Sequence, residues 1–82
     1  MNISSAIVFA RPGQAASVCG DLEKLAGVEV QAVSPEGKII VTIETADELA
    51  NVATFERIGQ LAGVMSTAMA YHQAESEPDQ EL

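Results

Sequence analysis

The chain has 82 residues, 48% of them hydrophobic, with twelve acids against four bases for a net charge of −8 and one cysteine. That length holds a single small domain; the lone Cys19 excludes an internal disulfide, and the excess of acid disfavours nucleic acid while favouring a cationic partner. The opening MNISSAIVFARPG lacks the basic flank and apolar length of a secretory leader or membrane span, so the expectation is a cytoplasmic protein with no stable membrane insertion.

Residues 3–10, ISSAIVFA, form a β-branched and aromatic run closed by Arg11-Pro12-Gly13, which predicts a strand and a turn. Ala15, Val18, Leu22 and Leu25 then recur at helical spacing, with Asp21, Glu23 and Lys24 off the stripe. Gly27 is expected to end this helix as its C′ residue, and VEVQAV follows as a second strand. SPEG predicts a tight hairpin into KIIVTIE, because Pro35 presets its φ and Gly37 accepts a positive one. Thr45 and Glu48 are spaced as a capping box for a second helix whose stripe reads Leu49, Val52, Ala53, Phe55 or Glu56, and Ile58, on to Leu61. Gly63 stops that helix, and VMSTAMAYH is the fourth strand.

Leu25-Ala26-Gly27-Val28 and Leu61-Ala62-Gly63-Val64 repeat the same four letters at both helix-to-strand junctions, so the chain reads as two β-α-β halves. Interleaved with right-handed crossovers, these make an α+β, ferredoxin-like split β-α-β sandwich (βαββαβ): a four-stranded antiparallel sheet with both helices on one face. The domain is expected over residues 1–72, which hold eight acids and all four bases. Residues 73–82 carry the other four acids and read as a disordered tail.

A sheet covered on one side leaves its other face without a protein layer. If Ala6, Val8 and Ala10 face the helices, Ile7 and Phe9 point away, joined by Val33, Ile40 and Thr42 from the hairpin strands. Alternation from Met69 turns Tyr71 towards the helices and His72 towards the uncovered side. An apolar patch of this kind marks a site for a partner or for a second copy.

Chemistry of other kinds finds little support. The first loop, Arg11-Pro12-Gly13-Gln14, has no thiol pair for a soft metal, and the open face lacks the stacked aromatics and basic surround of an RNA binder. An acylphosphatase-like site needs Arg11 with a water-positioning asparagine, and beyond Asn2 only Asn51, on the second helix, is present. Cys19 reads as a small thiol on an apolar helix face. The expectation is no enzyme, no cofactor and no metal.

Ile3-Ser4-Ser5-x-Ile7-Val8, Arg11-Pro12, Gly27-Val28-Glu29-Val30, Gly37-Lys38-Ile39-Ile40-Val41, and Gly63-Val64 leading to Tyr71-His72-Gln73 with an acidic tail resemble the NapD family over nearly the whole chain. The resemblance implies a cytoplasmic maturation chaperone of the periplasmic nitrate reductase. Such a chaperone binds the twin-arginine signal peptide of the catalytic subunit and holds back export until the molybdenum cofactor is inserted. Phe9 and the small Ala68 and Ala70 are expected to alter the shape of the sheet face relative to other members. The peptide site is expected on Ile7, Phe9, Val33, Ile40, Thr42, Glu44, Ala70, His72 and Glu75, with Glu29 or Glu77 as further acids, in a monomer or at most a weak dimer. The alternative reading is a small regulatory or ligand-sensing domain that dimerises through the same apolar face.

Overall fold

The computed structural model describes residues 2–74, with side chains through Ala70. Its elements run β1 (Asn2–Ala10), α1 (Ala15–Glu23), β2 (Val28–Val33), β3 (Lys38–Thr45), α2 (Glu48–Gly59) and β4 (Val64–Ala74). The strands form one antiparallel sheet in the order β2-β3-β1-β4, the βαββαβ arrangement expected. Of the tail expected over residues 73–82, Gln73 and Ala74 continue β4, and residues 75–82 lie outside the described residues.

The covered face of the sheet carries the core. Ala6, Val8 and Ala10 of β1, Ile39, Val41 and Ile43 of β3, and Val18, Leu22 and Ile58 from the helices are all buried. Removing this aliphatic surface from water is the main stabilising term, at ~25 cal/mol for each Å² of apolar area. α1 presents the stripe expected of it: Val18 and Leu22 are buried, with Ala15 and Cys19 packed against the core.

α2 presents only part of the expected stripe: Phe55, Ile58 and Leu61 reach the core, but the apolar residues of its first turns do not. Leu49 is 83% exposed and Val52 42% exposed, while Asn51, Phe55 and Ile58 turn inwards. A polar knot sets this phase. The Ser4 hydroxyl donates to Asn51 Oδ1 at 2.6 Å, and Asn51 Nδ2 donates to the carbonyls of Ile43 at 3.1 Å and Asn2 at 3.3 Å. Buried polar groups stay inside only when paired, so these bonds fix the rotation of α2 over β1 and β3.

The helix ends also depart from the expected pattern. Thr45 and Glu48 do not form a capping box; Asp47 is the N-cap, its carboxylate accepting from the Ala50 N–H at 2.7 Å, while the Thr45 hydroxyl donates to the Asp47 carbonyl. Gly27 is not the C′ residue either, since α1 is capped at Lys24. In both repeated tetrads the valine N–H donates to the leucine carbonyl at 3.2 Å with the glycine at φ near +85°: 81° at Gly27 and 87° at Gly63. No other residue type has a positive φ among the described residues, so each Leu-Ala-Gly-Val is a type II turn that needs glycine third. A Cβ on Gly27 would also run into the Glu44 carbonyl oxygen.

Candidate functional site

The uncovered face is built from alternate residues of the two central strands. β1 and β3 pair in register, placing Ile3 opposite Glu44, Ser5 opposite Thr42, Ile7 opposite Ile40 and Phe9 opposite Lys38. Directly opposed residues of an antiparallel pair share a face, so these pairs form four successive rows. The β1 members are half-buried by their neighbours, and Ile40 is 41% exposed. From β4, Ala68 stands opposite Ile7 and Ser66 opposite Phe9; from β2, Glu29 stands opposite Thr42 and Ala32 opposite Ile40.

The site residues read from sequence divide accordingly. Ile7, Phe9, Ile40, Thr42 and Glu44 lie together on this face. Val33 does not. A bulge at Gln31 shifts the register of β2, so Val33 pairs with the buried Ile39 and belongs to the helix side of the edge strand, while Ala32 takes the place beside Ile40. A second bulge, at Ala70, leaves that exposed residue without a partner on β1 and breaks the alternation expected from Met69 to His72. The backbone of His72 instead registers with Ser4, a residue of the covered side, and that of Tyr71 with Ser5 of the open side. The side chain of His72 and the whole of Glu75 lie outside the described residues.

The bulge that removes Val33 brings in a residue that sequence pattern missed. Gln31 donates from Nε2 to Glu29 Oε1 at 3.0 Å and to Thr42 Oγ1 at 3.1 Å, so its amide fixes the Glu29 carboxylate against the sheet. Lys38 on this face was also missed, because a strand-initial lysine reads as an ordinary solvent contact. Among the described residues the one ion pair is Lys24 with Asp21 at 4.0 Å, so Glu29, Glu44 and Lys38 have no counter-charge paired with them there.

Groups that enzymatic chemistry would need are committed elsewhere. Asn51 is wholly buried in the knot beneath α2, and Arg11 is exposed in the loop after β1. Burial and the neighbouring Glu23 carboxylate push the Cys19 thiol above its ordinary pKa, the reverse of what a nucleophile requires. Among the described residues no cluster of His, Cys, Asp and Glu is placed to hold a metal, and no helix is long and apolar enough to cross a membrane. The arrangement that remains is an aliphatic row between free charges. It can bind an amphipathic cationic segment, burying apolar side chains while carboxylates meet the cations.

The family model described as "NapD protein" matches residues 1–76. The "Chaperone NapD" proteins of Escherichia coli K12 and of Shigella flexneri are each 30% identical over 80 residues, an alignment covering 95% of this chain and 91% of theirs. The solution structure of the E. coli Tat proofreading chaperone protein NapD superposes with a TM-score of 0.81 at 28% identity, covering 92% of this chain and 80% of that one.

Proposed function

The chain belongs to the NapD family, a family of chaperones and not of enzymes, and from that premise we propose that it is a cytoplasmic chaperone for a twin-arginine signal peptide. The client is the catalytic subunit of the periplasmic nitrate reductase. While the peptide is held it is withheld from the export machinery, and release follows insertion of the molybdenum cofactor.

The observation that carries this reading is the uncovered sheet face with Ile7 and Ile40 paired at its centre and free carboxylates beside them. A twin-arginine signal peptide has a basic end followed by a moderately apolar stretch, and the face offers a surface for each. Covering the isoleucines supplies affinity at ~25 cal/mol per Å² of apolar surface. A carboxylate that takes a guanidinium through two parallel hydrogen bonds distinguishes arginine from lysine by shape. Solvated pairs of this kind contribute ~0–1 kcal/mol each, so the apolar row sets strength while the acids set recognition. Self-association through the same face is disfavoured by charge, since each copy carries −8.

Two substitutions in the full chain test the site. Ile40→Asp is expected to abolish binding of a synthetic signal peptide, and Val33→Asp, on the other side of the sheet, to leave it unchanged. Equal loss in both would remove the open face as the site. The timing of release is tested in cells that cannot make the cofactor. There, deleting the chaperone should let cofactor-free reductase reach the periplasm, and its continued retention in the cytoplasm would contradict the retention role.

A further inference from the structure

Charge on the uncovered face is sorted along the strands. At one end of the β1–β3 pair stands Glu44, opposite Ile3, with Glu29 beside it across from Thr42. The aliphatic row of Ile7, Ile40, Ala68 and Ala32 comes next, and the far end carries Phe9 opposite Lys38. Arg11 leaves the sheet at that far end, directly after Ala10. β4 finishes at the acidic end, where Ala74 registers with Asn2 and the chain continues into ESEPDQEL with four more acids.

Resting on the signal-peptide reading, we infer that this surface fixes the direction in which the peptide lies. The paired arginines sit at the Glu29–Glu44 end, the apolar stretch runs along the strands over Ile7 and Ile40, and the peptide's C-terminal side leaves past Phe9 and Lys38. The axis follows from the rows: none of them holds both a carboxylate and the isoleucine pair, so a peptide crossing the strands would leave either its cations or its apolar stretch unmatched. The sense follows from Lys38 and Arg11, because the reversed peptide would bring its arginines against like charge. From Glu44 to Lys38 the strand spans about 20 Å, the length of about 13 helical or 6 extended residues, enough for the apolar stretch in either form. The body of the client then begins at the Lys38 end, beside the hairpin that joins β2 to β3.

Paramagnetic broadening in the full ¹⁵N-labelled chain tests this directly. A spin label at the peptide's N-terminus should broaden the amides of Ile3, Thr42 and Glu44, and a label at its C-terminus those of Phe9 and Lys38. Binding with the opposite pattern, or with the same pattern from both labels, overturns the direction and leaves the signal-peptide reading standing. Absence of any binding removes that reading and the inference with it. In a second arm, exchanging the exposed charges as Glu44→Lys with Lys38→Glu should weaken binding about fivefold at low salt, with circular dichroism confirming the fold. Unchanged affinity together with unchanged direction would overturn charge as the cause.

Discussion

The two faces of this sheet are made by the same strands, and they carry opposite kinds of sequence. On the covered side, β1 and β3 present Ala6, Val8, Ala10, Ile39, Val41 and Ile43, all lost to solvent, with Ser4 and Asn51 as a single paired polar contact among them. On the open side the alternate residues read Ile3, Ser5, Ile7 and Phe9 against Glu44, Thr42, Ile40 and Lys38, an apolar centre between opposite charges. A face that served stability alone would need no such ordering of charge. The covered side holds the fold, and the open side is the surface proposed for the peptide.

Neighbouring isoleucines separate these roles most sharply. Ile39→Ala, at a wholly buried position, should cost ~2–5 kcal/mol in urea unfolding, whereas Ile40→Ala should cost under ~1 kcal/mol and lose peptide affinity instead. Similar stability losses at both positions would erase the distinction between the faces. Asn51→Ala comes next, since it removes the buried acceptor of the Ser4 hydroxyl and the side-chain bonds to the Asn2 and Ile43 carbonyls. Its expected cost is ~1–3 kcal/mol, read as a lower urea midpoint, and a neutral result would mean that the knot does not hold α2 in place. The smallest effect is expected from truncation after Ala74: at low salt, peptide association in stopped flow should slow severalfold, with little change at physiological ionic strength. A rate insensitive to truncation at both salts would confine the useful acids to Glu29 and Glu44.

Much of this division was legible in the sequence. Period-two alternation placed Ile7, Phe9, Ile40 and Thr42 opposite the core residues of the same strands, and the repeated Leu-Ala-Gly-Val located both returns into the sheet. What alternation cannot report is a bulge. One extra residue at Gln31 carries Val33 to the helix side, and another at Ala70 shifts the backbone register of β4, which removes the basis for pointing His72 outwards. Hydrophobic periodicity wrongly put Leu49 and Val52 on the inner face of α2, because one of the two buried residues of that helix is an asparagine whose partners Ser4 and Asn2 are distant in sequence. The charge gradient was hidden for a related reason. Glu29, Lys38 and Glu44 become the ends of one surface only when strand register is known.

Recognition of a twin-arginine signal peptide by the full chain is measured by calorimetric titration. The peptide is run beside a version with both arginines changed to lysine, at low and physiological salt. The expected result is micromolar or tighter binding that weakens with lysine and, more modestly, with salt. An absence of binding by calorimetry and by a second method, or equal affinity for both peptides, would contradict it.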